Sequence, residues 1–482
     1  MQESDHALRR LYDSYQDRGS LDLKPSARYT LSGLRLSQLR VNMASGFVSS
    51  VSGALVLAFT YPICLRYLGY EQYGLWLLMA TVLTFSQLGN LGIAQAVTKQ
   101  VSEAHGNNDI RAVRECATTA IMTLFATGSI VAIIITVFRH LIVSYFGLNA
   151  QNEAAASSLL PYIALFSMYV FVVDAFNSVL GGLGRMDLCN YTQAGSQILA
   201  ALTSVLLLRA GYGMAGLLAS NVLAYLLLHV VSSLMLRSLL KAGVFHPSLF
   251  SVGRFRSLVG FGTSIMGGSV LAMLLNPLNK FVLARYAGLA SVPVYDLAFT
   301  GSMRLRNLFD SAQKAIVPEV SRLQHASPEE ARKRARAIIK KALRYTTLFF
   351  PFYLGAALLA RPLLQIWLKS KFDPSSPLAV QIILIGTFLS LLGMASYYVL
   401  IGFGRGKGIL LASGIQFATN LLYIASSGIF SGQITVITVL IGTSLGMGAS
   451  SLYLIRKVYV STRQELCGDR YQSTSGTGTD GM

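Results

Sequence analysis

The sequence predicts an all-α polytopic membrane protein with about 12 transmembrane helices in two six-helix bundles. Three observations predict it. The first is composition: 53% of the 482 residues are hydrophobic and 13% are charged, where soluble domains carry about 25% charged residues. Mean hydropathy is +0.53. The second is a series of apolar runs at 43–65, 74–98, 116–138, 158–180, 191–210, 213–235, 259–283, 292–317, 343–363, 379–403, 408–430 and 433–455. A helix of about 20 residues crosses a hydrocarbon core of roughly 30 Å, and these runs are continuous. A β-barrel would instead show strands of about ten residues with alternating polarity. The third is an internal repeat at an offset of 219 or 220 residues.

Taken in chain order, residues 1–42 read as a polar cytoplasmic tail. They lack the apolar core and small-residue cleavage site of a signal peptide. Residues 43–240 form the first six-helix bundle, 241–258 a cytoplasmic linker, 259–456 the second bundle, and 457–482 a second cytoplasmic tail. Charge placement sets the orientation. The net charge is +19, with 40 Lys and Arg residues, of which 29 fall in the tails and even-numbered loops and seven in the opposite loops. That asymmetry is a positive-inside signal and puts both termini in the cytoplasm. The basic excess is therefore topology and contact with anionic membrane lipids rather than a nucleic-acid surface.

Motifs for catalysis are absent. Cys64, Cys116, Cys189 and Cys467 lie far apart with no CxxC, so no disulfide framework or metal site follows. There is no HExxH, GxSxG or Walker loop, and the Gly-rich "GFGRGKG" at 402–408 has no preceding strand. No cofactor and no catalytic residue are predicted.

The repeat organises the rest. Arg66, Tyr67 and Gly69 recur as Arg285, Tyr286 and Gly288; "GLGR" at 182–185 recurs as "GFGR" at 402–405; Gln197 falls on Gln416. Six helices is an even number, so both halves enter the membrane in the same sense. They are then related by an axis along the membrane normal, with a substrate path between them. The duplicated turn reads as the external hairpin joining the first two helices of each half. Its Gly permits the bend and its aromatic rings anchor at the interface.

The stretch "YLGYEQYGLWLLMATVLTFSQLGNLGIAQAVTKQVSEAHGNND", followed by "NKFVLARYAG", "VPVYDLAF", "AIVPEVSRL" and "GFGRGKG" in the second half, resembles the Wzx-type polysaccharide flippases of the multidrug/oligosaccharidyl-lipid/polysaccharide exporter superfamily. The likeness covers roughly residues 41–457. It implies two bundles forming a V around a central cavity, alternating access, and transport of a polyprenyl-pyrophosphate-linked saccharide alongside other polysaccharide assembly proteins at the bacterial inner membrane. The family often has Asp where this chain has Asn90 and Asn279.

Charges inside the spans mark the candidate site, because each costs about 2.5–3.5 kcal/mol at mid-bilayer. The eighth span carries Asp296, Arg304, Arg306, Asp310 and Lys314. At about 100° per residue these, with Thr300 and Asn307, fit an arc of about 160°. Two readings stand: a self-neutralising ladder of Arg306, Asp310 and Lys314 at i, i+4, i+8, or a wet cavity wall whose Arg304 and Arg306 meet an anionic headgroup. Asn276 and Asn279 on the seventh span join that cavity, as do Gln87, Asn90 and Gln95 on the second. Lys280 and Asp296 sit one turn from the outer end on adjacent helices. They form an outer-gate pair, unless Lys280 snorkels to the interface. Asp174 either couples transport to a proton or cation, or pairs with Arg185. Two rival functions remain. One is a drug or metabolite antiporter of the same superfamily. The other is a membrane saccharide polymerase or ligase, which the short outside loops disfavour.

Overall fold

The computed structural model describes residues 30–31, 34–35, 38–90, 92–241, 243–266, 270–313, 316, 320, 328–403 and 405–460. After a short β-hairpin, β1 (Thr30–Leu31) and β2 (Leu34–Arg35), the described chain is helical. The helices are α1 (Gln38–Ser86), α2 (Ile93–Gly106), α3 (Ile110–Val137), α4 (Arg139–Tyr145), α5 (Ala150–Gly182), α6 (Met186–Arg209), α7 (Gly213–Leu240) and α8 (Val252–Met266). They continue as α9 (Val270–Tyr286), α10 (Ser291–Gln313), α11 (Pro328–Thr347), α12 (Phe350–Leu368), α13 (Ser376–Gly402), α14 (Gly406–Ser431) and α15 (Val436–Val460).

Among the described residues each predicted span overlies helix, except that 74–98 is divided by a turn at 87–92 between α1 and α2. Among the described residues eight segments are by themselves long and apolar enough to cross a membrane, and the 46-residue Arg40–Phe85 is one of them. It bends back at Gly69, whose φ of 73° breaks α1 into two legs; Gly288 turns the matching hairpin with φ 83°. Only a residue without Cβ adopts such angles readily. The chain between α1 and α2 turns through Gly92, φ 69°, where a Cβ would lie 2.4 Å from the carbonyl oxygen of Gly262.

Apolar packing divides the molecule into two ends. At the end that carries the Gly69 and Gly288 hairpins, one continuous core draws on both halves, from Tyr61, Leu65, Leu75, Leu160 and Leu217 to Leu283, Val292, Tyr295, Leu368 and Val439. At the other end the cores are separate. One is built from α2, α3, α5, the end of α7 and α8, around Val97, Ala117, Val179 and Leu258. The other is built from α11, α13, α14 and α15, around Ile339, Val399 and Leu454. Two bundles joined at one end and individually cored at the other make a V.

Two segments differ from the sequence reading. The seventh span begins earlier than residue 259, and its first part, α8, packs on the first bundle. Gln100 donates to Ser257 Oγ at 3.0 Å, and Lys99 Nζ lies 4.3 Å from the Phe261 ring centroid. The basic loop 318–344 contains the amphipathic α11, which turns Ala335 and Ile339 into the core and leaves Lys333, Lys340, Lys341 and Arg344 exposed.

Candidate functional site

The polar stripe of α10 is divided between two surfaces. Residues 304 and 306 are separated by about 200° around a helix, and their guanidinium groups reach different places. Arg306 lines a cavity of about 520 Å³ whose described walls come wholly from the second half: α9, α10, α13, α14 and α15. Its Nη1 donates to Ser390 Oγ at 2.9 Å, and its Nε is buried without a partner. Asp310 lines the same cavity and accepts from Tyr398 Oη at 3.1 and 3.0 Å. Asn276 faces them from α9, its Oδ1 buried and unsatisfied. Phe299, Tyr397 and Gln416 complete the polar and aromatic wall.

Arg304 turns the other way. It lines a groove of about 340 Å³ between α1 of the first half and α10, α12 and α13 of the second, with Ala54, Ala58, Leu363 and Trp367. A Cβ on Gly53 would lie 3.1 Å from Arg304 Nη1 and 2.9 Å from Gln197 Oε1, so the guanidinium reaches across to α1 at the seam between the halves. Small residues on α1 and α10 leave the groove open. The Trp367 indole N–H closes its hairpin end by donating to Ala58 O at 2.8 Å.

The predicted self-neutralising ladder is not formed between Arg306 and Asp310. Among the described residues the Arg306 guanidinium has no ion pair, and Tyr398 holds Asp310. Lys314 lies outside the described residues, as does the side chain of Gln87. Asn307 is exposed.

Two other predicted residues, Asn279 and Asn90, have local structural partners. Asn279 is fully buried. Its Nδ2 donates to Tyr295 Oη at 3.1 Å and Thr443 Oγ1 at 3.0 Å, and its Oδ1 accepts from Asn420 Nδ2 at 2.8 Å. This is a knot tying α9, α10, α14 and α15, not a cavity wall. Asn90 Oδ1 accepts the backbone N–H of Ala94 at 3.2 Å and so caps the start of α2. Gln95 is exposed on α2. Asp174 is half-buried on α5, and Arg185 is not its partner: that guanidinium grips Asp187 at 3.0 and 3.1 Å. Asp187 in turn accepts from Gln38 Nε2 at 3.0 Å, which fastens the "GLGR" turn to α1. Near Asp174 on the α5–α7 seam, Tyr169 Oη and His229 Nδ1 are 2.9 Å apart, and Ser232 donates to Asn177 at 2.9 Å.

Lys280 Nζ and Asp296 Oδ1 are 2.5 Å apart, and both side chains are 9% exposed. This buried pair lies beside the closed hairpin end. There Tyr61 Oη donates to Pro293 O at 2.7 Å and stacks on Trp367 at 5.7 Å. Tyr70 Oη donates to Lys371 O at 2.6 Å. A Cβ on Gly74 would stand 2.0 Å from Leu289 O, so the two hairpins meet backbone to backbone.

Sequence reasoning missed Tyr397, Tyr398 and Ser390, which sit inside a long apolar run with no charge to mark them, and Trp367, which lies just beyond the run 343–363. Only Gln416 carried a signal, as the repeat partner of Gln197.

This is a multi-pass membrane protein with the fold of the multidrug/oligosaccharidyl-lipid/polysaccharide superfamily transporters. The solved structure of the lipid II flippase MurJ in an inward closed conformation aligns with a TM-score of 0.65 at 16% identity, covering 89% of each chain. An inward-facing multidrug resistance MATE family transporter of the MOP superfamily aligns with a TM-score of 0.63 at 13% identity, covering 87% of this chain and 97% of that one. The chain belongs to the polysaccharide biosynthesis protein family, which it matches over residues 39–324. A curated relative from Shigella flexneri, described as "Putative O-antigen transporter", is 18% identical over 346 residues, 71% of this chain and 79% of the relative.

Proposed function

We propose that this protein is a flippase that carries a lipid-linked saccharide across the bacterial inner membrane by alternating access, and is not an enzyme. The observation that carries the reading is the division of α10: one apolar molecule presents two cationic side chains to two internal surfaces, Arg304 at the seam between the halves and Arg306 in the second-half cavity. Arg304 is exposed to the seam groove and Arg306 is half-buried in the cavity, and a charge at membrane depth is costly where nothing anionic ever binds. A polyprenyl-pyrophosphate headgroup supplies the anion, and the apolar groove beside Arg304 takes the start of the lipid tail.

The positive-inside asymmetry puts the hairpin end outside and both termini in the cytoplasm. The joined core then closes the outer side while the inner ends stay separately cored, an arrangement suited to loading from the cytoplasm. The Lys280–Asp296 pair with Tyr61 and Trp367 forms the outer gate, and Asp174 with the Tyr169–His229 seam serves ion coupling. Fixed positive charge along the path argues against a cationic-drug antiporter.

The test is headgroup translocation by purified protein in liposomes, using a fluorescent lipid-linked oligosaccharide and an impermeant quencher. Wild type moves the headgroup, and Arg304→Ala with Arg306→Ala slows it by about tenfold or more, since each charge-assisted contact is worth about 1.5–3 kcal/mol. No wild-type movement across several saccharides and ion gradients would reject the reading.

A further inference from the structure

The face of α11 that turns away from the core carries a single kind of chemistry. We propose that it is a binding surface for the anionic headgroups of membrane lipids, which fasten the second bundle to the membrane surface at the end opposite the hairpins. The inference does not depend on what the protein transports.

The first observation is the segregation of charge. At about 100° per residue, Lys333, Lys340, Lys341 and Arg344 fall within an arc of about 100°, and all four are exposed. Ala335, Ile338, Ile339, Ala342 and Leu343 take the opposite side and pack in the core. Both acidic residues of α11, Glu329 and Glu330, lie in its first turn, and Glu330 pairs with Arg334. Among the described residues the four exposed cations form no ion pair.

The second is depth. α11 leads into α12 through Leu348 and Phe349 alone. The basic face therefore ends within about two turns of the apolar helix. α12 exposes Phe352, Leu358, Leu359 and Leu363, a surface for acyl chains. Exposed Tyr345 lies between the two regions, as an aromatic ring does at headgroup level. Cations fixed just beyond that ring stand where lipid phosphates lie.

The third is rigidity. Thr346 Oγ1 accepts from Gln313 Nε2 of α10 at 3.2 Å, and Gln313 also donates to Leu391 O of α13 at 3.4 Å. Arg336 donates to Tyr459 O of α15, and its guanidinium lies 5.7 Å from that ring centroid. α11 is strapped across three helices, and its apolar face is spent on protein. It does not insert as a free amphipathic helix does; what it offers the membrane is charge. The first half has no such platform. Its α2–α3 connection is residues 107–109, Asp109 caps α3 by accepting the Ala112 N–H at 2.9 Å, and Arg111 pairs with Glu115.

The test reads which lipid sits beside α11. Full-length protein with Tyr345→Cys, in a background lacking the native cysteines, is labelled with bimane and reconstituted into phosphatidylcholine vesicles. Equal mole fractions of brominated phosphatidylglycerol or brominated phosphatidylcholine serve as quenchers. At low salt the phosphatidylglycerol should associate about fivefold more strongly or better, since a single basic residue near an anionic surface gives about that factor. Most of the preference should vanish at about 1 M salt, where the screening length is about 3 Å. Lys333→Gln with Lys340→Gln, Lys341→Gln and Arg344→Gln should bring the two lipids to parity. Lys333→Arg with Lys340→Arg and Lys341→Arg keeps the charge and should keep the preference. Equal quenching by the two lipids without these substitutions, or an undiminished preference in the Gln variant, would overturn the proposal. So would loss of the preference in the charge-keeping variant. Displacement of phosphatidylglycerol by a much smaller mole fraction of polyprenyl pyrophosphate would also overturn it, since the face would then belong to a transported lipid rather than to the membrane.

Discussion

Lys280 and Asp296 show how much a single residue pair decides. Both are buried, and they face each other at 2.5 Å. Removing one partner of such a pair strands a charge, which typically costs about 3–5 kcal/mol, whereas replacing both by apolar groups of similar volume is often nearly neutral. Lys280→Ala should therefore lower the thermal unfolding midpoint of the purified protein sharply, and Lys280→Met with Asp296→Leu should recover most of it. A double variant as unstable as the single one would show that the pair does more than neutralise itself. Asn279 is the hub of three buried hydrogen bonds, so Asn279→Leu should destabilise by about 1–3 kcal/mol through the donors and acceptors it strands. The intramembrane charges were legible in the sequence because each one breaks an apolar run. Which cavity each side chain enters was not legible. Helical periodicity placed Arg304 and Arg306 on the two flanks of one stripe, and only the neighbouring helices decide that one flank meets α1 and the other meets α13. Asn279 and Asn90 looked like site residues because polar groups are rare in spans, yet each is satisfied locally.

Between elements, the tightest contact is at the hairpin end. The Gly74–Leu289 approach leaves no room for a side chain, so Gly74→Val must push the hairpins apart. Spin labels on Cys at 66 and 371, in a background lacking the native cysteines, should report a longer distance in Gly74→Val than without it. An unchanged distance would mean that the hairpins yield elsewhere. Element existence was readable from run length, and the repeat predicted matching hairpins at Gly69 and Gly288. Two elements were hidden. α11 was masked by its charges: the basic residues of 318–344 obscured the i, i+3, i+4 spacing of Ala335, Ile338, Ile339, Ala342 and Leu343 that seats it. The attachment of α8 to the first bundle was hidden by apolar continuity, since nothing in composition tells which bundle an apolar helix packs on.

For the whole molecule, the pattern that matters is one shared core and two separate ones. Rocking the halves apart at the hairpin end would expose the contacts of Tyr61, Tyr70 and Trp367 and bring the opposite ends together. The proposed orientation has a direct test: Cys introduced at exposed Lys341 should be shielded from an impermeant thiol reagent in intact cells, and Cys at exposed Tyr67 should be labelled. The reverse pattern would invert the proposed direction of loading. The most direct test of alternating access is a reversible tether at the hairpin end. Tyr70 Oη reaches Lys371 O at 2.6 Å, so Cys at 70 and 371 in a cysteine-free background can be joined by a short cleavable cross-linker. Headgroup translocation in liposomes is then measured before tethering, after tethering and after cleavage. Loss on tethering with recovery on cleavage is the predicted result; full-rate translocation by the tethered protein would contradict it.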